Sequence, residues 1–206
     1  MHDVIEEISA SNSWRDGEFA KFKLNAANVD KNLWFRMCIP MIYAHWEGFV
    51  VSSLRILISY LNSLELNPKN IRTNLVVIGL GDSYKTLSGK QSFVQRIEFT
   101  DKFSSLYKES LKFAKKIDTK SNLRSNVLEE LCKMFGFNYE NFIEYTSDID
   151  RLVNIRNSIA HGENAFLLDL ENIDKYIKAV TAATDVLLRE IQRFVEDKEY
   201  LLPGST

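Results

Sequence analysis

Hydrophobic residues recur at helical spacing along most of the chain. In the longest run, residues 31–64, aromatic and aliphatic side chains cover most of the circumference of a helix, which is typical of a central core helix. Pro40 inside this run predicts a kink or a division, because an interior proline removes a backbone hydrogen bond and clashes with the preceding turn. A second long helix is predicted over residues 171–198, where apolar positions are spaced by three and four.

Three shorter regions also carry helical patterns. Residues 3–26 mix charged and apolar positions around SASNSWRDG, so we predict either one helix or two pieces. LRSNVLEELCKMFGFN predicts a short helix that Gly136 ends. DIDRLVNIRNSIAHG predicts another helix, with Ser147 or Asp148 as its N-cap and Gly162 as its stop.

Two intervening segments are less regular. Residues 66–100 contain the break at Asn67-Pro68, an apolar NLVVIGLG of undecided type and a predicted loop around SG at 88–89, so we predict an insertion of partly irregular structure. Its glycines lack the remaining positions of a dinucleotide-binding or phosphate-binding loop, and we assign them no nucleotide chemistry.

The pattern of residues 101–117 predicts an amphipathic helix. Its apolar face consists of Phe103, Leu106, Tyr107, Ala114 and Ile117. Its opposite, basic face consists of Lys108, Lys112, Lys115 and Lys116. A solvated helix face and an RNA-steering stripe of Lys112, Lys115 and Lys116 both remain open.

Composition supports an all-α fold. The 206 residues are 45% hydrophobic and 26% charged, with eight glycines and three prolines, which favours long helices over a turn-rich β fold. No repeat or linker divides the sequence, so we predict one helical-bundle domain over residues 1–206. The net charge is −2, but residues 85–133 are basic and residues 134–206 acidic, an asymmetry that can build a local phosphate-attracting surface.

Several features predict a cytoplasmic protein. Cys38 and Cys132 lie far apart within apolar helical patterns, which predicts buried free thiols in a reducing compartment. The N-terminal sequence lacks the basic and apolar regions of a signal peptide. Arg36, Glu47 and Arg55 interrupt the core helix, leaving no uncharged run near the roughly 18 residues that a membrane span needs.

Candidate chemistry is sparse. The three histidines are His2, His45 and His161. No Cys/His cluster has zinc-ligand spacing, and neither HExxH nor a nucleophile elbow occurs. We therefore expect no metal and no cofactor. The remaining candidates are in DRLVNIRNSIAHGEN, residues 150–164.

Arg156 is unusual because it lies beside the apolar positions Leu152 and Ile159 of its helix. A guanidinium is costly to desolvate unless it is paired or has an anionic partner. Arg156 is therefore either part of a structural ion pair or a phosphate ligand. Asn157 lies four positions before His161 on the same helical face. A supporting role in the site and a local helix-end hydrogen bond are both open for Asn157.

The core helix adds two polar candidates. Glu47 is flanked by apolar residues, so we expect it to be partnered by Arg156 or Arg55, with a direct catalytic role as the alternative. His45 is expected to be a satisfied core histidine rather than a catalytic group.

Two of these stretches resemble a known family. RNSIAH, within VNIRNSIAHGE, resembles the R-x4-6-H motif of the HEPN superfamily. YAHWEGFV, residues 43–50, is similar to the YAxxEGF pattern in the long helix of stand-alone bacterial HEPN proteins of the MAE and RiboL-PSP type. The resemblance implies a helical bundle that commonly dimerises, with two RxxxxH motifs facing each other. Many members are metal-independent endoribonucleases, often in toxin-antitoxin or antiphage systems.

Carried onto this chain, the resemblance implies Arg156 and His161 as catalytic residues, Asn157 and Glu47 as supporting residues, RNA as substrate and a possible antitoxin partner. Metal-free RNA cleavage needs a base for the 2′-OH, a charge stabiliser and an acid for the 5′-oxygen. A symmetric dimer supplies two copies of His161 for these proton transfers. A non-catalytic HEPN module that binds RNA, a nucleotide or a protein is the alternative, and a purely structural helical protein is a third class.

Overall fold

The computed structural model describes residues 4–26, 29–81, 92–106, 108, 110–163 and 166–204. Its helices are α1 (Val4–Asn12), α2 (Trp14–Asn25), α3 (Lys31–Ser63), α4 (Thr73–Leu80), α5 (Phe93–Leu106), α6 (Ser125–Phe135), α7 (Ile143–Ala160) and α8 (Leu170–Glu196). Short 3-10 helices cover Pro68–Asn70 and Tyr139–Phe142. Among these residues, the structure contains one isolated β-bridge, between Ile71 and Leu201. The all-α prediction is confirmed.

Helix α3 is the centre of the bundle. It packs against α1, α2, α7 and α8, and its most buried side chains include Trp46, Leu57 and Leu61. The helix continues through Pro40 without interruption, so the expected division does not occur. Residues on both sides of Pro40 belong to the same hydrophobic core, and this packing outweighs the single hydrogen bond that proline removes.

The helix ends follow the predicted signals in most places. The N-terminal region forms two pieces, α1 and α2. Gly136 and Gly162 end α6 and α7 with φ of 81° and 79°, a left-handed conformation that glycine adopts at little cost. The predicted N-cap of α7 is wrong, because Ser147 and Asp148 lie inside the helix. The preceding 3-10 helix, Tyr139–Phe142, runs directly into α7 and makes a separate cap there unnecessary.

The predicted insertion at residues 66–100 contains more helix than its pattern indicated. NLVVIGLG lies in α4 and its C-cap, and α4 packs against α6. Gly79 allows a close approach, because a Cβ there would lie 2.6 Å from the Leu111 side chain. The loop predicted at 88–89 falls outside the described residues.

The helix predicted over residues 101–117 is wrong beyond Leu106, where α5 ends. Residues 110–119 have no regular secondary structure. The Asn62 side chain both donates to the Phe113 carbonyl (3.0 Å) and accepts from the Phe113 amide (2.8 Å), and the Leu111 amide donates to the Leu66 carbonyl (2.8 Å). These bonds satisfy the Leu111 amide and both backbone groups of Phe113 without a helix, and Ala114, predicted on the apolar face, is exposed. Tyr107 is outside the described residues.

Both cysteines are buried and free, as predicted. Burial raises the pKa of Cys38 to about 11 and that of Cys132 to about 12, so both remain protonated thiols at neutral pH. Among the described residues, no helix combines the length and apolar character needed to cross a bilayer.

His45 is a core residue, 2% exposed, on the side of α3 opposite Tyr43. Its Nδ1 lies 3.2 Å from Arg15 Nη1, and its Nε2 lies 3.0 Å from a Glu18 carboxylate oxygen. The rings around it belong to Trp14, Phe19 and Phe22. Burial first, and Arg15 second, lower the pKa of His45, whereas Glu18 opposes them. At neutral pH the ring is therefore uncharged in the folded protein.

We expect the free energy of unfolding to fall as the pH is lowered through about 6.5, because the unfolded state protonates His45 near this ordinary pKa and the folded state does so only at lower pH. Asp16 and Asp185 line the cavity beside the ring but are exposed to solvent, which weakens their effect on it. Urea unfolding at a fixed protein concentration measures this slope. His45→Gln should flatten it. An equal slope in wild type and His45→Gln would contradict this assignment.

Candidate functional site

The two motif stretches meet where the middle of α3 crosses the C-terminal half of α7. The Arg156 guanidinium lies over the Tyr43 ring, with Cζ 4.0 Å from the ring centroid. Seven positions earlier in α3, Arg36 Nη2 donates to the Glu163 carbonyl (3.0 Å), seven positions after Arg156. The two helices therefore run antiparallel, and the end of α7 lies beside the first turns of α3.

Arg156 is held by neutral groups. It is half-buried, Nη1 donates to Asn157 Oδ1 (2.8 Å) and Nη2 donates to the Ser121 carbonyl (3.2 Å). Within the described residues it forms no ion pair, so the structural ion-pair interpretation is not supported there. A guanidinium that is oriented but not neutralised keeps its charge for an anion.

Asn157 links α7 to the turn at residues 118–123. Its Oδ1 accepts from Arg156, and its Nδ2 donates to Asn122 Oδ1 (3.1 Å). One amide thus orients the guanidinium and anchors the turn. This bonding differs from the local helix-end hydrogen bond considered from the sequence.

The turn at residues 118–123 is conformationally costly. Lys120 and Ser121 both have positive φ, 55° and 48°, which costs about 1–2 kcal/mol for each non-glycine residue. The Leu123 amide donates to the Tyr43 hydroxyl (2.9 Å) and its carbonyl accepts from Trp46 Nε1 (3.1 Å). These bonds to α3, together with those to α7, stabilise the turn against its backbone strain.

Glu47 is bonded to this turn rather than to an arginine. The Thr119 hydroxyl donates to Glu47 Oε1 at 2.5 Å, so the predicted partners Arg156 and Arg55 are wrong. The local sequence gives no sign of a partner 72 positions away.

Tyr43 is a protonated phenol at neutral pH. Burial, the largest cause, raises its pKa to about 12; Glu47, which is hydrogen-bonded to it, raises the pKa further, whereas the Leu123 amide and Arg156 lower it. A phenol this basic releases no proton near neutral pH. The Tyr43 ring therefore supports the Arg156 guanidinium, and its hydroxyl holds the turn by accepting the hydrogen bond from Leu123.

His161 is the C-cap of α7. The Gly162 amide donates to the Ile159 carbonyl (3.0 Å) and the Glu163 amide to the Ser158 carbonyl (2.9 Å), a Schellman arrangement that requires the left-handed Gly162. The imidazole is exposed and forms no hydrogen bond within the described part of the chain. These backbone hydrogen bonds therefore fix the position from which the His161 side chain reaches solvent.

An apolar patch lies beside this helix end. On α3, the exposed apolar residues follow helical spacing: Leu33 (60% exposed), Met37 (56%) and Met41 (44%). Leu167, 93% exposed, continues the patch beyond α7. Leu33 and Leu167 line one cavity of about 230 Å³, so the two parts adjoin. Contiguous exposed apolar surface of this kind marks interaction sites.

The structure does not bring the predicted lysines to Arg156. Lys112, Lys115 and Lys116 are exposed on the segment whose Phe113 is bonded to Asn62. Asn62 lies 19 positions along α3 from Tyr43, which corresponds to about 28 Å. No group of three or more metal-ligating side chains occurs among the described residues.

A sequence model described as RiboL-PSP-HEPN matches residues 10–196. The chain belongs to the RiboL-PSP-HEPN family. The match extends from the last turn of α1 to the end of α8, and HEPN domains are helical bundles. They often bind RNA and dimerise, and are frequently endoribonucleases. No curated protein and no solved structure matches the chain.

Several residues that hold the candidate site together were not predicted from the sequence. Tyr43 is four positions before Glu47, so helical spacing alone places both on one face. The polar run DTKSN, residues 118–122, is a turn signal. Nothing in it indicates that Ser121 and Asn122 bind Arg156 and Asn157, because those contacts span 35 positions.

Proposed function

We propose that this protein is a metal-independent endoribonuclease that acts as a homodimer, with Arg156 and His161 as catalytic residues, and leaves a 2′,3′-cyclic phosphate. One observation carries the proposal. A half-buried, unneutralised guanidinium is held by neutral groups on the same helix end that presents an exposed imidazole.

Arg156 suits the charge that develops during the reaction. A phosphate oxygen can replace the Ser121 carbonyl as the acceptor of Nη2 and form a charge-assisted bond, which is stronger than the neutral one. The pentacoordinate phosphorane carries more negative charge than the bound diester, so the guanidinium stabilises it preferentially.

Two proton transfers require two groups. The 2′-oxygen attacks phosphorus while one neutral imidazole takes its proton; the bond from phosphorus to the 5′-oxygen breaks as an imidazolium protonates that oxygen. Each chain offers one His161, and His45 is buried on the other side of α3. A second copy of His161 supplies the missing group.

The apolar patch supports a homodimer as the arrangement. In a two-fold interface the same surface of each subunit meets its copy. Because the patch adjoins the end of α7, pairing through Met37 and Met41 brings both His161 side chains toward the axis.

Asn157 and Glu47 have supporting roles in this proposal. Asn157 orients Arg156, and Glu47 holds Thr119 and so the turn that contacts Arg156. A single domain over residues 1–206, a cytoplasmic location, a toxin or antiphage-defence role and an antitoxin partner are further proposals. The resemblance supports the effector role and the antitoxin partner.

A non-catalytic HEPN module that binds RNA, a nucleotide or a protein is the second candidate. The contacts of Arg156 with Ser121 and Tyr43 favour it, because they give the guanidinium a structural task without catalysis.

We expect purified protein to cleave RNA in the presence of EDTA. End-group analysis should find 2′,3′-cyclic phosphates and 5′-hydroxyls, and a 2′-O-methyl group at the cleaved nucleotide should block the reaction, since the 2′-oxygen is the nucleophile. His161→Gln, purified identically, controls for contaminating nucleases.

Cleavage that needs a divalent ion, or that leaves 5′-phosphates, would overturn this mechanism. RNA binding without cleavage would favour the second candidate.

A further inference from the structure

We propose that residues 110–123, the guide segment, bind an unpaired RNA strand that runs along α3 and enters the site at Arg156. The direction of the strand rests on the proposed ribonuclease function. The binding surface itself is argued from the contacts and charges of the segment.

The guide segment is fixed along more than half of α3. Its buried side chains are Leu111, Phe113, Ile117, Thr119 and Leu123. It is bonded to Leu66 and Asn62 near one end of α3, and to Glu47 and Tyr43 near its middle. A segment held at both ends presents its outer side chains in a fixed row, which lowers the ordering cost of binding.

The exposed charged side chains of the guide segment are four lysines and one acid, Asp118. Lys112, Lys115 and Lys116 are exposed, and none of them forms an ion pair with another described residue. Lys120, at the far end of the row, is bonded to Glu130 at 2.8 Å. Unneutralised lysines in a row are the feature that attracts a phosphate backbone, because binding releases condensed counterions.

A single row of cations fits one strand rather than a duplex. Proteins that bind double-stranded RNA contact successive grooves and phosphates of both strands, whereas a groove that follows one backbone suits single strands. The row begins about 28 Å along α3 from Tyr43. A bound strand must therefore extend for about four or more nucleotides on one side of the phosphate held by Arg156.

Binding of fluorescent 2′-O-methyl RNA tests this surface without cleavage. The triple variant Lys112→Ala, Lys115→Ala, Lys116→Ala is compared with Lys133→Ala, Lys175→Ala, Lys178→Ala. The control removes equal charge from lysines paired with Glu129, Asp148 and Asp174.

For a single strand of about 16 nucleotides we expect the guide variant to bind about tenfold more weakly. The slope of log affinity against log salt should fall by about 2, which corresponds to three lost phosphate contacts. The control variant should bind the same strand as tightly as wild type does. Wild type and the guide variant should bind a dinucleotide with equal affinity. An unaltered slope, or an equal loss in the control, would overturn the guide segment.

The outcome separates the two proposals. If wild type cleaves no RNA but the guide variant loses long-strand binding, the RNA-binding surface is supported and the ribonuclease proposal is contradicted. If wild type cleaves and the guide variant cleaves long RNA with unchanged KM, the guide segment fails and the nuclease stands.

Discussion

His161→Ala homodimers are expected to lose RNA cleavage by a factor of about 100 or more while remaining folded. One proton transfer by a positioned side chain contributes about 10²–10⁴ to a rate, and this variant removes the proposed base and acid together. The ring is exposed and makes no hydrogen bond within the described residues, so the free energy of unfolding should change by no more than about 0.5 kcal/mol.

Mixed dimers separate a shared cleft from two independent sites. With two tags, dimers of one wild-type and one His161→Ala chain can be isolated and compared with doubly tagged wild type. A shared cleft loses either its base or its acid, so cleavage should fall far below half. Half activity would rule out the shared cleft, and full activity in the variant homodimer would remove the ribonuclease proposal.

Arg156→Ala should also abolish cleavage, but that result is harder to interpret. The substitution removes the contacts to Ser121, Asn157 and the Tyr43 ring. The strained turn then loses one of its supports, so a loss of structure accompanies the loss of charge. The histidine variant therefore gives the cleaner measurement.

The double variant Met37→Glu, Met41→Glu is expected to separate the dimer and to abolish cleavage with it. A carboxylate placed in an apolar interface is strongly unfavourable, and a two-fold axis brings equivalent charges near each other. Sedimentation and cleavage assays should show the dimer dissociation constant raised by about 100-fold or more, with activity recovered only at high protein concentration.

The matched control is Phe93→Glu, Val94→Glu on α5. These side chains are 68% and 61% exposed and lie outside the patch, so the same chemistry there should leave the dimer intact. A monomeric Met37→Glu, Met41→Glu protein that cleaves at the wild-type rate would show that the patch has no part in catalysis.

Long helices were the most predictable part of the fold. In α3 and α8 the apolar positions extend over many turns, and that periodicity depends on local sequence alone. Residues 110–119 carry a similar composition, but their conformation is set by the side chain of Asn62, 51 positions away from Phe113. No local pattern contains that information.

The candidate site divides in the same way. The RxxxxH motif in the sequence identifies Arg156 and His161 as candidates, and Gly162 correctly predicts the end of the helix beside them. One of the two hydrogen bonds that orient Arg156 goes to Ser121, in a turn where Lys120 and Ser121 are left-handed, non-glycine residues. Non-glycine residues are rare in that conformation, so a prediction from local sequence would not assign it to them. Tertiary contacts stabilise it instead.

The central position of α3 affects the synthesis of the protein. Its packing partners α7 and α8 (Leu170–Glu196) come much later in the chain. A ribosome that adds 5–20 residues per second needs roughly 5–20 s to pass from the end of α3 to the start of α8. During that interval the apolar surface of α3 that later meets α8 remains uncovered, a target for chaperones, and the nascent chain lacks a complete bundle to support Arg156. If the ribonuclease proposal holds, activity is acquired only after α8 has been synthesised.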